Sequence, residues 1–499
     1  MTALLERLPR RVFSTGQVRE IEALAIATCG VTSYELMSRA GAAALEVLAR
    51  RWPSARSLAI VCGAGNNGGD GLVVARLAQA AGYGVRALLV VDAGKLAGTA
   101  AQAAADALAA GVVLEPFTAP ALGAADVIVD GLLGTGLSRP VTGAFLTAIE
   151  AVNASAKPVL ALDVPSGLDT DTGWPSAVAV RAAATVTFLG LKQGLFLGAA
   201  VDHCGDLEFA DLGLPLELAA PFPPALERLT VDDLKRALPR RARSAHKGSC
   251  GRLLLVGGGP GMAGAIRLAA EAALRAGAGL VYVATHADSV TSVLAGRPEI
   301  ICKSAMSARD LEEFIELADA AVLGPGLGRS AWADGLWSRL VAADLPLVVD
   351  ADGLNRLAAA RVERGRWLLT PHPGEAGRLL ETTTDAVQRD RRAAVRALAK
   401  KYGAHAVLKG PNTLIATPNE REPLAVCDRG NPGMATGGTG DVLAGALGAV
   451  LVQTRDLALA ARAGVLLHAL AGDTAAVDGE RGMVAGDLLP HLRAWANPR

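Results

Sequence analysis

The chain has 499 residues, 51% hydrophobic and 4% aromatic, which is more than one core usually organises, so a globular, enzyme-sized protein of several domains is expected. Lys plus Arg and Asp plus Glu each number 49; this balance leaves no net field to draw the chain to nucleic acid or an anionic membrane, so any acidic ligand must be held locally. Cys29, Cys62, Cys204, Cys250, Cys302 and Cys427 form no CxxC pair, which argues against a zinc site or a disulfide framework and makes a reducing cytoplasm the expected compartment.

The opening segment MTALLERLPRRVF is broken by Glu6, Arg7 and a proline before an apolar core of signal-peptide length, so no export is expected. Apolar runs follow at 58–62, 85–91, 127–129 and 159–162, each bounded by Gly, Asp or Pro, with an Ala-rich helical segment at 71–81. This alternation predicts strands and helices of a parallel α/β architecture.

The first run ends at Cys62 and leads into Gly63-Ala-Gly-Asn-Asn-Gly68, a GxGxxG pattern opening a helix, with Asp92 at a spacing suited to a ribose. Alone it reads equally as a dinucleotide fingerprint or as a glycine turn chosen for close packing. Asn66, Asn67 and Asp70 add side-chain oxygens, and a carboxylate there would repel a pyrophosphate unless a cation or polar group intervened. Two more strand ends carry polar clusters, Asp130-Gly-Leu-Leu-Gly-Thr-Gly and Asp163-Val-Pro-Ser-Gly-Leu-Asp. Each aspartate could be a plain cap, but loops after neighbouring parallel strands converge on one crevice. Such thiol-free oxygen ligands suit potassium, magnesium or calcium.

On these loops, roughly the first 220 residues resemble the NAD(P)H-hydrate epimerase family, whose hallmark GxGNNGGDG stands here at 63–71. The resemblance implies a Rossmann-like three-layer sandwich over 1–222 and a potassium site made by Asn67, Asp130 and Ser166. It implies substrate contacts from Asn66, Asn67, Gly68, Gly69 and Asp70, from Gly134, Thr135, Gly136, Leu137, Ser138, Arg139 and Pro140, and from Asp163. Asp163 would then be the general acid/base that inverts the hydroxylated carbon of the reduced nicotinamide ring.

Residues 214–224, LPLELAAPFPP, carry four prolines and no helical period, and are read as a linker. LTVDDLKRALPRR then begins a short helix, and a new strand at 253–256 leads to the glycine loop 257–264 and a helix over 264–276; further strands are expected at 320–323, 347–349 and 406–408. The two glycine loops differ too much to be an internal repeat. Pro260 removes an amide donor from the second, which is read as backbone for substrate approach rather than a pyrophosphate cradle.

The most informative segment is 430–441, GNPGMATGGTGD, followed by a helical VLAG pattern. Such a loop offers amides and a helix dipole to an anion, and Asp441 in the first turn can accept a proton from a substrate hydroxyl. A simple N-cap would need one residue, not a glycine-rich prelude. The uncharged helix stretch 442–454 is too short to span a bilayer and meets Arg455 and Asp456, so no membrane partner is expected.

No GxxxxGK[ST] occurs. The loop is similar to the GxGD anion-hole motif of the ribokinase-like superfamily, which implies a ribokinase-like domain over 226–499 with Asp441 as catalytic base. His246-Lys-Gly with the loop 257–264, Gly324-Pro-Gly-Leu-Gly, Thr370-Pro-His-Pro-Gly-Glu-Ala-Gly-Arg378 and Lys409-Gly-Pro-Asn-Thr413 single out a resemblance to the ADP- or ATP-dependent NAD(P)H-hydrate dehydratases, with ADP favoured. By that resemblance Lys409, Gly410, Pro411, Asn412, Thr413, Asn431, Gly437, Gly438, Thr439 and Gly440 line the nucleotide. Gly326, His372, Pro373, Gly374, Glu375, Ala376, Gly377, Arg378 and Asp441 face the hydrate. Lys409 offers a point charge to phosphate and Glu375 a hard oxygen to Mg²⁺; equally, Lys409 could be a solvated strand-end charge and His372 could merely fix a turn.

The expectation is thus an α/β fusion that epimerises the R- and S-hydrates of NADH and NADPH and dehydrates the S form with ADP. Its partners would be those small molecules, with no nucleic acid and no membrane, in a cytoplasmic homo-oligomer. A ribokinase-like small-molecule kinase would share the Asp441 loop but lack the N-terminal half. A nucleotide-sensing module would need neither Asp441 nor Asp163.

Overall fold

In the computed structural model the chain divides into two compact units, Met1–Leu226 and Glu227–Arg499. The structure describes residues 8–137, 139–360, 362 and 366–498.

The first unit is built on β1 (Ser57–Cys62), β2 (Gly84–Leu89), β3 (Leu114–Pro116), β4 (Val127–Gly131), β5 (Val159–Leu162), β6 (Ala184–Phe188) and β7 (Asp206–Ala210). They lie in the order β3-β2-β1-β4-β5-β6-β7, and every pairing is parallel. Strand side chains alternate between faces. Leu58, Ile60 and Cys62 accordingly enter one apolar core while Ala59 and Val61 enter another on the opposite face. Both faces being covered explains why these strands read as continuous apolar runs. The result is the three-layer, Rossmann-like arrangement expected, with α1 (Asn66–Ala80) leaving directly from the first glycine loop. β3, β6 and β7 escaped the sequence reading because Pro116, Thr185, Thr187 and Glu208 interrupt their apolar pattern.

Residues 214–224 are not a free linker but part of this unit. Leu216–Ala219 forms a 3-10 turn, and Ala219 and Phe222 pack on Phe13, Val18 and Ile21. The Arg11 guanidinium donates to the carbonyls of Ala219 (2.7 Å) and Phe222, and Gln17 Nε2 donates to Pro223 O at 2.6 Å. Prolines lack an N–H but keep their carbonyls, and the N-terminal side chains satisfy the carbonyls of this stretch.

In the second unit β8 (Arg252–Val256), β9 (Leu280–Thr285), β10 (Ile301–Ser304), β11 (Ala320–Leu323), β12 (Leu347–Val349), β13 (Trp367–Leu369), β14 (His405–Leu408), β15 (Thr413–Ala416) and β16 (Leu424–Cys427) run in the order β10-β9-β8-β11-β12-β13-β14-β15-β16. The ladder is parallel as far as β14, and then β14-β15 and β15-β16 are antiparallel. The segment 230–238 does form a short helix, Val231–Ala237, with Thr230 and Asp233 closing a capping box.

One face of this sheet is covered by α2 (Thr439–Thr454), α3 (Leu457–Ala475) and the helix Ala263–Arg275. α2 is buried on all sides from Val442 to Val452, and small residues permit that approach. A Cβ at Gly445 would stand 1.9 Å from Ala269 O. This packing sets the N-terminus of α2, and so Asp441, above the carboxyl ends of the parallel strands, where α/β sheets hold their ligands.

Candidate active sites

In the first unit Asp130, one residue before the end of β4, is fully buried. Its Oδ1 accepts from Ser166 Oγ at 2.6 Å and Leu132 N at 3.2 Å, and its Oδ2 from Ser166 N at 2.8 Å. Burial pushes its carboxyl up to about 6, and the Ser166 and Leu132 hydrogen bonds oppose the rise. Asn67 donates through Nδ2 to Leu133 O at 3.0 Å, while its buried Oδ1 has no partner among the described residues. The structure therefore brings Asn67, Asp130 and Ser166 together around Leu133, with an unsatisfied oxygen among them.

Asp163, after β5, has left-handed backbone (φ 65) and pairs with Lys192. Burial, followed by the charges of Asp163 and Glu22, drives the Asp70 carboxyl well above its usual range. Burial and Asp163 likewise raise Glu22, on the helix Thr15–Thr28. Asp70 and Asp163 thus share one electrostatic neighbourhood. Asn66, on the first turn of α1, accepts from Thr99 Oγ1 at 3.4 Å, and Gly68 and Gly69 are buried in the same helix. Gly134, Thr135, Gly136, Leu137, Arg139 and Pro140 form the irregular segment after β4, where Thr135 O accepts from Arg19 at 2.6 Å. Ser138 lies outside the described residues. Asp92 is exposed and caps the turn Ala93–Lys95 by accepting from Gly94 N at 3.1 Å.

In the second unit the strand ends supply Asp350 after β12, Thr370 after β13 and Lys409 after β14. Asp350 Oδ1 accepts from Lys409 Nζ at 2.7 Å and from Thr370 Oγ1 at 2.8 Å, and Glu375 Oε2 lies 3.8 Å from Lys409. Burial opposes the ammonium, but Asp350 and Glu375 outweigh it and hold the Lys409 pKa above the ordinary lysine value. Lys409 is therefore neither a solvated strand-end charge nor a free cation. A Cβ at Gly440 would lie 3.5 Å from Lys409 Nζ and 4.0 Å from Asp350 Oδ2, which places this pair directly beneath the glycine loop.

Asp441 sits in the first turn of α2. Burial first, then the negative charges of Asp350 and Asp352, push its carboxyl up to about 7, with Lys409 pulling the other way. Such a group changes protonation near neutrality, as a general base must. The preceding loop is fixed from α3: Asp473 accepts from Gly430 N at 3.1 Å and Asn431 Nδ2 at 3.2 Å, and buried His468 sets Nε2 2.9 Å from Thr439 O. Gly438 turns the chain into the helix at φ 93, a left-handed conformation natural to glycine.

His372 does cap a helix, Pro373–Leu379, its Nδ1 accepting from Gly374 N at 3.0 Å and Glu375 N at 3.4 Å. Glu375 and Ala376 and Gly377 are buried in that helix, whereas Arg378 is exposed and donates to Asn355 Oδ1 at 2.9 Å. Burial raises Glu375, with Lys409 countering. Gly326 packs on Met262 at the loop 257–264. In that loop Gly258 N donates to Pro325 O and Gly259 N to Gly326 O, so these amides are spent on protein carbonyls. Gly410, Pro411, Asn412 and Thr413 form the turn from β14 into β15, with Asn412 at φ 51.

The sequence reading passed over Asp350, Asp352, His468, Asp473, Lys192, Arg19 and Glu22. Asp350 was findable, since it ends a recognised strand as Asp130 and Asp163 do. His468 and Asp473 sit in an Ala/Leu-rich helix and carry no local signal.

Among the described residues no three His, Cys, Asp or Glu side chains form a metal cage, and no helix is long and apolar enough to cross a membrane.

Comparison with known proteins places each unit in a family. Residues 33–194 match the family described as YjeF-related protein N-terminus, and residues 253–493 match the NAD(P)H-hydrate dehydratase family. A ribokinase-like superfamily protein of Enterococcus faecalis V583 superposes with a TM-score of 0.51 at 28% identity, covering 55% of this chain and 95% of its own. The fold and site thus define an enzyme that joins an epimerase-type α/β domain to a ribokinase-like dehydratase domain. The bifunctional NAD(P)H-hydrate repair enzymes of Coxiella burnetii and Escherichia coli K12 are 47% and 41% identical to it. Each alignment covers 98% of this chain, with 99% and 95% of the relatives' lengths. The chain belongs to the family of bifunctional NAD(P)H-hydrate repair enzymes.

Proposed function

We propose that the two sites act in sequence on hydrated NADH and NADPH, with Asp163 serving the epimerase step and Asp441 the nucleotide-dependent dehydration. In the first unit Asp163 moves the proton exchanged while the C–O bond of the hydrated ring carbon opens and re-forms on the other face. Asn67, Asp130 and Ser166 would hold a potassium ion, a reading supported by the orphaned Asn67 Oδ1 beside a buried carboxylate. When bound, that ion supplies positive charge to a site rich in carboxyls. Asn66, Asp70 and the 134–140 segment bind the hydrate around it.

In the second unit Asp441 takes the proton of the S-hydrate hydroxyl as that oxygen attacks the terminal phosphoryl of ADP, whose phosphoanhydride bond breaks to release AMP. The amides of Gly437, Gly438, Thr439 and Gly440 receive the developing charge. Phosphate then leaves with the C–O electrons while a proton departs from the adjacent ring carbon, and the ring double bond returns. Mg²⁺ would come with the nucleotide, since it binds largely through phosphates and water, and Glu375 would offer it a hard oxygen. Lys409, held between Asp350 and Glu375, sets the charge under the loop, and Gly410 to Thr413 and Asn431 flank the nucleotide. A cytoplasmic, self-associating protein belongs to the same reading; the six free cysteines support the former and the exposed edge strand Ile301–Ser304 the latter.

The observation that carries this reading is the placement of Asp441, half-buried at a helix N-terminus behind a glycine loop. Mixed hydrates incubated with the protein and ADP or ATP should regain the absorbance of the reduced nicotinamide. Asp441→Asn should lose that recovery yet still bind nucleotide. No recovery with either nucleotide would return a small-molecule kinase to consideration.

A further inference from the structure

Lys192 is among the most completely buried large side chains of the protein, with 1% of its side chain exposed. A buried ammonium is costly unless its hydrogens are matched, and when kept it calls for a reason beyond packing. Its Nζ donates to Phe188 O at 2.9 Å, to Thr187 Oγ1 at 3.0 Å and to Asp163 Oδ1. The same Oδ1 also accepts from Thr187 Oγ1 and from Phe188 N, each at 3.3 Å. The Thr187 hydroxyl therefore relays, accepting from the lysine and donating to the carboxylate.

All three donors converge on one oxygen, and no donor among the described residues is recorded on Oδ2. The backbone adds to this constraint. Asp163 is held at φ 65 with its N–H donating to Val186 O at 2.7 Å, a conformation that a residue with a Cβ keeps only when its surroundings impose it. Asp163 retains 15% side-chain exposure where Lys192 is closed off. Glu22 and Asp70 feel the charges of both residues, so the pair lies in the neighbourhood of these two acids.

We propose that Lys192, acting with the Thr187 hydroxyl, is a positioning residue for the epimerase step, fixing one oxygen of Asp163 so that the other is presented to the hydrated ring. This rests on the reading of Asp163 as the acid/base. A carboxylate free to rotate would spend its time on unproductive geometries, and the loss would fall on turnover more than on binding.

The test follows R-hydrate consumption by the full-length protein with ADP, with S-hydrate consumption as a control from the other domain. Lys192→Met should lower kcat for the R form by about 10²-fold with KM changed little, and Thr187→Val by about tenfold, while S-hydrate repair is unchanged. A wild-type kcat, or a rise in KM with kcat retained, would overturn the proposal. Should Lys192→Met fail to fold by circular dichroism, the near-isosteric Thr187→Val decides it by the same criteria. Asp163→Ala, assayed in parallel, separates the two ideas. If it consumes R-hydrate normally, the Asp163 reading falls and this proposal with it; if it is inactive while both other variants are unimpaired, only the positioning role falls.

Discussion

The Lys409 ammonium lies 2.7 Å from Asp350 Oδ1, and this pair, joined by Thr370 and approached by Glu375, forms the floor under the glycine loop that leads to Asp441. Asp350 is 2% exposed, so removing it strands a charge instead of returning it to water. Asp350→Ala should cost about 3 kcal/mol of stability in urea unfolding, the usual penalty for breaking a buried pair from one side. Replacing both partners, Asp350→Leu with Lys409→Met, should recover most of that stability without restoring dehydration. Equal stability of the single and double variants would contradict this.

Asp441 governs pH dependence. With its carboxyl at about 7, the ionised base is lost as pH falls, so kcat for S-hydrate should drop about tenfold per unit well below that value. The stability effect has the opposite sense. The folded chain binds this proton more tightly than the unfolded chain, so the stabilisation is present below the ordinary carboxyl value and lost as pH rises through about 7. Asp441→Asn should therefore be inactive yet more stable than the wild type at pH 8, and a thermal scan at two pH values checks it.

Two neighbouring glycines should separate folding from catalysis. A Cβ at Gly438 would meet Leu268 Cδ1 at 2.7 Å on left-handed backbone, whereas at Gly437 it meets nothing within 4 Å. Gly438→Ala should destabilise by about 1–3 kcal/mol. Gly437→Ala should leave the melting temperature nearly unchanged but lower kcat/KM with ADP, because the added methyl crowds the phosphoryl group.

The proposed potassium site beside the orphaned Asn67 Oδ1 predicts that the first unit responds to monovalent cations. Exchanging potassium for choline should slow R-hydrate consumption and lower that unit's melting temperature, because a ligand bound only by the folded state stabilises it by mass action. Asp130→Asn should abolish the potassium dependence. S-hydrate repair would report any general salt effect.

Much of this protein is determined by the sequence alone. Apolar runs closed by Gly or Asp marked the central strands β1, β4, β5, β8, β11 and β12, because strands buried on both faces need no polar alternation. The glycine loops before Asn66 and Asp441 announced helix N-termini, since a tight turn and exposed amides demand that chemistry locally. Tertiary structure decided which polar and charged groups meet. Lys409 and Asp350 are 59 residues apart, Lys192 and Asp163 29 apart, and His468 and Thr439 29 apart, and each contact exists only because parallel strands and their covering helices bring those segments to the same edge. Periodicity is a property of neighbours along the chain, whereas burial and ion pairing depend on what the fold places across the sheet. The loops that carry the two candidate sites were therefore legible, and the charges gathered beside them were not.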